Sequence, residues 1–487
     1  MANSKQHNGK GRLRRNAITV LGAVALSMAF MGPATSVFFN TQPAAGGAGY
    51  ALPFALLLAL IVCALVASAV GAFAQKIPTA GFAYTFNTHG FGKRGGFLSG
   101  WLLAFAYAMV GPMLLAAIGA LVAQFLQAEF GWDIPWWFFT IAFALIVWTI
   151  GILGISRTAA TALIFLVLEV GVMLALFLTI FVKGGAQGIS LAPFNPANSL
   201  GGFSGLGIGL LWGILFFVGF ESAGTLGEET RDAKKSIPVA LFTAVAIIGV
   251  FYVLSAWAST LGYGQSHVSA FVSDGAPWIT LTQTYWGSGL VWLVSLTVLN
   301  SIFANLISGT NAAVRVLFSM GREGILPGRL GTTTARGNPS AALTAYMIFA
   351  LALALIGGLL WTPLGAYGFF GTILGLGLVI IYILINVALI VFYWRDYRAE
   401  FSIVRHGVLP VIAGLLMLLP IYGLLFPVPA YPNNLVPYIV LIWLALGVVY
   451  LLIMARRRPE VIEAMGRVMV EDTASTEASE PGPALAD

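Results

Sequence analysis

Two acidic residues lie inside stretches that are otherwise apolar enough to enter a lipid bilayer. Glu221 follows Gly219-Phe220 in LWGILFFVGFESAGTLGEE. Glu169 lies in TALIFLVLEVGVMLALFLTIF, roughly 17 Å along a helix from the last basic residue before it. An unpaired carboxylate in hydrocarbon is costly, so both residues are expected to be paired, protonated or turned towards a wet cavity. Such acids often mark ion or solute pathways in membrane proteins.

The composition indicates the surroundings of these two acids. Of 487 residues, 59% are hydrophobic and 9% are charged, and the mean hydropathy is +0.92, which is typical of a polytopic membrane protein. The net charge of +6 comes from short loops between apolar spans, not from a basic surface with interleaved aromatic residues. The lipid bilayer is therefore an expected partner, and nucleic acid is not.

Other chemistries find no support in the sequence. No two of the four histidines have metal-ligand spacing, so we predict no metal site and no other cofactor. The run GGFSGLGIG lacks the Lys-Ser/Thr end of a phosphate loop, which argues against transport driven by ATP. No nucleophile and base form a recognisable constellation, so an integral membrane enzyme is not expected.

Windows of roughly 20 apolar residues, the length that crosses the hydrocarbon, predict about twelve spans. They lie near residues 17–40, 51–74, 97–127, 136–155, 158–182, 206–227, 236–261, 288–319, 341–360, 366–393, 408–426 and 434–455. Lys and Arg cluster in the amino-terminal tail, in every second loop and after the last span. In the remaining loops Lys183 is the one basic residue. The positive-inside rule predicts a multi-pass protein of the cytoplasmic membrane with both termini in the cytoplasm.

Two of the predicted spans contain internal breaks. In the first span, MAFMGPATSVFFN places Gly32 and Pro33 near mid-bilayer, where proline removes a backbone donor and disfavours a helical conformation at the preceding residue. In the sixth span, FFVGFESAGTLGEE places Gly219 and Gly224 at a similar depth. Lipid cannot satisfy unwound backbone, so these breaks are expected to line a cavity or to be buried in protein. A kink without function is the alternative for either span alone.

The positions of the breaks predict the domain organisation. Interrupted first and sixth spans, five spans apart, are typical of inverted repeats, which we place at residues 17–183 and 206–393. Two further spans follow at residues 408–456. Residues 1–16 form a basic cytoplasmic tail, and residues 459–487, which end in EDTASTEASEPGPALAD, form an acidic tail too polar to fold alone.

Three motifs resemble those of the amino acid, polyamine and organocation (APC) superfamily of secondary transporters. They are FFVGFESAGTLGEETRDAKKSIPVAL in the sixth span, KIPTAGFAYTFNTHGFGKRGGFLSGW between the second and third spans, and NAAVRVLFSMGREGILP at the end of the eighth. The resemblance covers nearly the whole chain to about residue 456. It implies an all-α polytopic membrane protein of about twelve transmembrane helices, in a LeuT-type five-plus-five inverted repeat with helices 1 and 6 broken and two carboxyl-terminal helices.

The resemblance also implies a solute site. In this superfamily the substrate lies between a four-helix bundle and a scaffold, and its charged ends meet the unwound backbone of the first and sixth spans. The corresponding residues here are Met31, Gly32, Ala34, Thr35, Ser36, Phe216, Phe217, Gly219, Phe220, Glu221 and Ser222. Where many members have Gly-Ser-Gly-Ile-Phe, this chain has Gly-Pro-Ala-Thr-Ser, which changes the donors offered to a substrate carboxylate.

The two acids inside the spans predict coupling to protons. In proton-coupled relatives a titratable residue, often lysine, occupies the position that Glu169 resembles, where it replaces a sodium ion. We therefore predict that Glu169 exchanges a proton, and that Glu221 joins it in a relay or caps the unwound segment through backbone hydrogen bonds. A structural carboxylate paired with a neighbouring span is the alternative for Glu169. Arg315 and Glu323 are predicted to form a cytoplasmic gate or a simple ion pair.

The sequence predicts a secondary active transporter that moves an amino acid or a related amine by alternating access. H⁺ is the predicted coupling ion, and Na⁺ is less favoured. Two alternatives stay open, namely an exchanger without net ion coupling and a sensor that binds solute without moving it. The acidic tail is short for a signalling output domain, which argues against the sensor. The sequence does not predict the oligomeric state.

Overall fold

The computed structural model describes residues 19–77, 82–154, 159–226, 230–334 and 338–464. The predicted basic tail 1–16, the acidic pair Glu228-Glu229 and residues 465–487 of the predicted acidic tail lie outside these ranges. That tail was predicted to begin at residue 459, but Pro459–Ala464 form a helix in which Ile462 is buried. The long regular elements of the described chain are all helices.

Eighteen α-helices follow one another in the described chain. They are α1 Val20–Met31, α2 Pro33–Ala48, α3 Leu52–Lys76, α4 Phe82–Ala108, α5 Val110–Phe130, α6 Trp136–Leu153, α7 Ala159–Val182, α8 Gly202–Phe217, α9 Ala233–Tyr263, α10 Val268–Ser273, α11 Pro277–Tyr285, α12 Val291–Arg322, α13 Ser340–Trp361, α14 Pro363–Asp396, α15 Leu409–Leu416, α16 Leu418–Leu425, α17 Val436–Arg457 and α18 Pro459–Ala464. A 3-10 helix, Phe220–Leu226, follows α8.

Ten segments of the described chain are long and apolar enough to cross a membrane. The first, Val20–Lys76, has 57 residues and contains both the first and the second predicted spans. The apolar helix Gly202–Phe217 is shorter and occupies the sixth predicted span. Each of the twelve predicted spans therefore coincides with an apolar helix, and the protein is an all-α polytopic membrane protein.

The break in the first span is confined to one residue. Gly32 has φ 54° and ψ 67°, the left-handed conformation that glycine adopts without steric cost, and it caps both the end of α1 and the start of α2. Pro33 occupies the first position of α2, where a missing N–H breaks no helical hydrogen bond. The Gly-Pro pair thus ends one helix and starts the next.

The break in the sixth span is longer. Helix α8 begins at Gly202, four residues before the predicted span, and ends at Phe217. Val218 is extended, with ψ 125°, and Gly219 has φ 112°, after which the chain continues as the 3-10 helix Phe220–Leu226. The described part of the predicted span 206–227 is therefore α-helical up to Phe217 and a 3-10 helix from Phe220 to Leu226.

Two further interruptions were not predicted. The third span is divided between α4 and α5 at Met109, and α4 itself has a kink at Gly92, with φ 78°. The eleventh span is divided between α15 and α16 at Met417 and is preceded by a π-helix, Ile403–Val408. Pro112 and Pro420 each lie three residues after the dividing methionine. A proline has no N–H to donate to the carbonyl four residues earlier, so each division has a local cause.

Small residues bring the helices around the breaks close together. A Cβ on Gly47 of α2 would lie 2.6 Å from the Cβ of Ile208 on α8, and a Cβ on Gly213 would lie 2.8 Å from that of Ala59 on α3. Such close approach is how membrane helices gain packing energy without a hydrophobic driving force. The outer helices of the molecule leave their large apolar side chains exposed, as Ile164, Leu359 and Leu441 show.

Candidate functional site

The two helix breaks lie against each other. A Cβ on Gly219 would lie 2.9 Å from the carbonyl carbon of Phe30 and 3.0 Å from the nitrogen of Met31. The Ser27 hydroxyl of α1 donates a 2.6 Å hydrogen bond to the carbonyl oxygen of Phe220. Unwound backbone of the sixth span therefore packs directly on the last turn of α1.

Hydroxyl groups satisfy much of the freed backbone at the first break. The Ser36 hydroxyl donates to the Met31 carbonyl at 2.8 Å, and the Thr35 N–H donates to the hydroxyl of Ser301 on α12 at 3.1 Å. The Thr35 hydroxyl oxygen is buried and has no hydrogen-bond partner in the part of the chain that the structure describes. An unmatched buried polar atom of this kind is costly unless a solute or water satisfies it.

Glu221 is fully buried at the second break, and its carboxylate is held from two sides. Oε1 accepts a 2.7 Å hydrogen bond from the hydroxyl of Tyr107 on α4, and Oε2 accepts a 3.0 Å bond from the N–H of Gly219. The Tyr382 hydroxyl of α14 faces the same carboxylate but lies outside hydrogen-bond geometry, and it has no hydrogen-bond partner among the described residues. The predicted capping of the unwound segment is thus present in the structure.

Two of the three predicted aromatic residues pack against a tyrosine from α9. The rings of Phe216 and Phe217 pack edge-on against Tyr252, with centroid distances of 5.0 and 5.2 Å. The Tyr252 hydroxyl lies 3.4 Å from the Met31 carbonyl oxygen, which it contacts as a donor. Phe220 packs instead against Tyr382, at 5.9 Å. The three phenylalanines are fully buried. Burial is expected both for packing residues and for the walls of a closed site, so it does not distinguish these two roles.

Glu169 lies on α7 with 5% of its surface exposed. It interacts electrostatically with Tyr252, whereas the groups that hold Glu221 belong to α4, α14 and the second break itself. Tyr252, whose hydroxyl contacts the Met31 carbonyl, therefore lies between Glu169 and the first break, whereas Glu221 lies at the second. Ser222 also lies at the second break, where its N–H donates to the Gly219 carbonyl at 3.0 Å.

The predicted gate residues lie away from the breaks. Glu323 follows the end of α12 and accepts a 2.7 Å hydrogen bond from the hydroxyl of Tyr84, near the start of α4. Arg315 is exposed on α12, about two helical turns earlier.

Several residues at the breaks were missed by sequence reasoning. Tyr107, Tyr252 and Tyr382 contact or face the predicted site residues, and each is an aromatic residue in an apolar span with nothing to distinguish it from packing residues. A signal was available for Ser301 and Asn305. They are two polar residues one turn apart in VLNSIFANLISG, so they share one face of α12.

A cavity of about 420 Å³ is lined by none of the residues at the two breaks. Its lining includes Gly47 of α2, Trp212 of α8 and Gly423 of α16. Trp212 also stacks on Tyr367 of α14, with ring centroids 6.2 Å apart, and the Tyr367 hydroxyl donates to Asn40 at 2.6 Å.

A multi-pass helical fold with two helices broken at a shared, buried polar centre is the architecture of a membrane transporter. The chain belongs to the amino acid permease family, which it matches over residues 22–463. That match covers every described helix that carries the site. The protein is therefore a transporter and not an enzyme.

The relatives of this chain include transporters of different solutes. It is 29% identical to a branched-chain amino acid permease of Lactococcus lactis, over 66% of this chain and 71% of that protein. It is 27% identical to a low-affinity putrescine importer of Escherichia coli, over 64% of this chain and 68% of that protein. A branched-chain amino acid permease of Bacillus subtilis is 24% identical over 86% of this chain and 89% of its own length.

Proposed function

We propose that the protein is a secondary active transporter for an amino acid or a related amine, and that the two helix breaks form its solute site. The observation that carries the proposal is the contact between Gly219 and the backbone of Phe30 and Met31. Unwound backbone inside apolar spans is stable only where protein or a bound polar solute satisfies it. The relatives named as branched-chain amino acid permeases and as a putrescine importer support the same class of solute.

The backbone at the breaks supports recognition of both charged ends of such a solute. Helix α2 starts at Pro33, so the positive end of its dipole points to the break and favours a carboxylate. The Met31 carbonyl accepts bonds from the hydroxyls of Ser36 and Tyr252, and the Phe220 carbonyl accepts one from Ser27. An ammonium group of a solute would replace or join these donors. Phe216 and Phe217 supply an apolar wall for the rest of the solute.

Glu221 is proposed to couple proton uptake to movement of the sixth span. Its carboxylate ties the second break to α4 through Tyr107 and to the backbone of Gly219. Hydrogen bonds to an ionised acceptor are roughly twice as strong as bonds between neutral groups. Protonation would weaken both bonds and free the 3-10 helix to move.

Glu169 is the second proposed coupling group, with H⁺ as the ion and Na⁺ less favoured. Its charge acts on Tyr252, whose hydroxyl contacts the Met31 carbonyl at the first break. A change in protonation at Glu169 therefore reaches the solute site through one side chain. An exchanger without net ion coupling and a solute sensor are the alternatives.

Orientation and gating complete the proposal. We place the protein in the cytoplasmic membrane with both termini inside and with residues 17–183 and 206–393 as inverted repeats. In that orientation Glu323 lies at the cytoplasmic end of α12, and its bond with Tyr84 connects α12 to the start of α4. Arg315 and Glu323 would then belong to the gate on that side.

Uptake into proteoliposomes tests the proposal. A panel of radiolabelled amino acids, putrescine and ethanolamine is offered with an imposed pH gradient and without sodium, to the wild type, to Glu169→Gln and to Glu460→Gln. Glu460 is an exposed acid on α18 and serves as the control for loss of a carboxylate. We expect one class of solute to accumulate with the gradient in the wild type and in Glu460→Gln, but not in Glu169→Gln.

Other outcomes separate the alternatives. Exchange of preloaded solute that is independent of the gradient and normal in Glu169→Gln would make the protein an exchanger and Glu169 structural. Binding without movement would favour the sensor. Accumulation driven by a sodium gradient alone would identify Na⁺, and not H⁺, as the coupling ion.

A further inference from the structure

Helix α12 brings a carboxamide to the first helix break. A Cβ on Gly32 would lie 2.4 Å from Nδ2 of Asn305 and 3.1 Å from its Cβ, so the asparagine side chain lies directly over the glycine. The absence of a side chain at Gly32 is what permits this approach. Asn305 is half-buried, and its carboxamide makes no hydrogen bond with the residues that the structure describes.

The start of α2 is short of the donors that the amino terminus of a helix normally offers. Pro33, at its first position, has no N–H. The N–H of Thr35 is engaged by Ser301, and that of Ser36 by the Gly32 carbonyl at 2.8 Å. Among the described residues, Ala34 therefore supplies the one N–H of this first turn that lacks an acceptor. One N–H alone makes a weak site for a carboxylate.

We propose that Asn305 replaces the donor that Pro33 deletes, and that it selects solutes that carry a carboxylate. The Nδ2 group would donate to one carboxylate oxygen, and the Ala34 N–H and the Thr35 hydroxyl would serve the other. The inference rests on the proposed function and names its substrate class, an amino acid in preference to the amine left by decarboxylation. It also gives a reason for a Gly-Pro pair at a position where freed N–H groups would otherwise be expected.

A packing role for Asn305 fits the structure less well. Ser301, one turn earlier on the same face of α12, already engages the protein backbone. Asn305 points at the same break, yet it has no partner among the described residues. A half-buried carboxamide without a partner costs stability and gains nothing for packing that an apolar residue would not supply. Its two donors and its acceptor are thus available to a solute.

Binding of matched solute pairs tests the proposal. Ornithine and putrescine differ by one carboxylate, as do leucine and 3-methylbutylamine. Their equilibrium binding is measured with the purified wild type, with Asn305→Ala and with Asn305→Asp. Asparagine and aspartate have the same shape, but aspartate lacks the donor and adds a negative charge. We expect both variants to bind the amino acid of the preferred pair about 10-fold to 100-fold more weakly, with amine binding unchanged in Asn305→Ala and unchanged or tighter in Asn305→Asp.

A second variant tests the relation between Asn305 and the missing N–H. Pro33→Ala restores a backbone donor at the first position of α2. If Asn305 substitutes for that donor, Pro33→Ala should recover amino acid binding in the Asn305→Ala background by about 10-fold. Asn300→Ala is the matched control, because Asn300 is a half-buried asparagine on another face of the same helix. Melting temperatures in detergent establish that each variant is folded.

The outcomes separate this inference from the proposed function. A folded wild type that binds none of the four solutes, and nothing else in the uptake panel, would overturn the proposed function and this inference with it. A wild type that binds solute while Asn305→Asp keeps full affinity for the amino acid would overturn this inference alone. Equal losses of affinity for the amine and the amino acid would also overturn this inference alone. So would a wild type that binds the amines more tightly than the amino acids.

Discussion

Glu221 holds the unwound segment of the sixth span through its carboxylate. Its carboxylate accepts the Gly219 N–H, a donor left free by the break, and reaches across to Tyr107, 114 residues earlier in the chain. The Glu221 carboxylate thus has a structural function at the second break. The sequence identified the acid because charge is rare in apolar spans, but it could not identify Tyr107 or Tyr382, since nothing local relates residues so far apart.

Tyr107→Phe removes one of the two bonds to Glu221 and leaves the ring in place. We expect the free energy of unfolding to fall by about 1–3 kcal/mol, because a buried carboxylate then keeps one donor fewer. Unfolding in detergent measures the change. Tyr422→Phe, which alters an exposed tyrosine on α16, is the control and should leave stability unaltered. Equal stability of Tyr107→Phe and wild type would mean that the bond contributes nothing.

At the scale of helices, the chain breaks where glycine permits it. Gly-Pro predicted the first break, and the glycines around Glu221 predicted the second, because both residue types disfavour continuous helix. The divisions at Met109 and Met417 were not predicted, although Pro112 and Pro420 in the following helical turns remove backbone donors there. The contact of α12 with Gly32 could not be predicted either, because it joins spans that are far apart in the sequence.

Gly219→Ala tests whether the two breaks must touch. Its φ of 112° is one that alanine rarely adopts, and the new Cβ would lie 2.9 Å from the Phe30 carbonyl carbon. Backbone strain of this kind costs about 1–3 kcal/mol, so we expect a folded but less stable protein with solute binding at least about 10-fold weaker. Equilibrium binding and melting temperature measure the two effects.

The control for this substitution is Gly414→Ala on α15, where no atom lies within 4 Å of the added Cβ. We expect normal binding and unchanged or slightly higher stability, because alanine favours helix over glycine. Wild-type binding by Gly219→Ala would show that contact between the breaks is not needed for solute recognition.

At the scale of the molecule, the predicted fold agrees with the structure because composition and span length constrain a membrane protein strongly. Apolar windows located all twelve helical spans, and the family match covers residues 22–463. Composition and span length do not predict which helices pack against each other. Close contacts such as that of Gly47 with Ile208 depend on glycines that look alike in sequence whether they lie at an interface or not.

Two truncations test where the folded unit ends. Ile462 of α18 is buried against Phe97, Ile325 and Met454, and Val461 lies 3.7 Å from the site of a Cβ on Gly324. A chain that ends at Arg458 should lose about 1.5–3 kcal/mol of stability, because this burial is lost, whereas a chain that ends at Ala464 should match the wild type. Equal stability of the two chains would mean that α18 is not part of the folded unit.

Cys63 provides a reporter for the whole molecule, because it is the one cysteine of the chain and is fully buried on α3. A polar maleimide should not label the folded protein and should label it completely after unfolding, since a buried thiol is inert. Rapid labelling of the native protein would show that water reaches the centre of the structure. Mass spectrometry measures the modified fraction.

The central claim is that solute binds where the two helix breaks meet. A cryo-EM map of the wild type with its best-transported solute tests this claim most directly. The account predicts solute density within about 3 Å of the Ala34 N–H and the Asn305 carboxamide, next to Gly219. Density in the cavity lined by Gly47, Trp212 and Gly423, with the two breaks unoccupied, would contradict it.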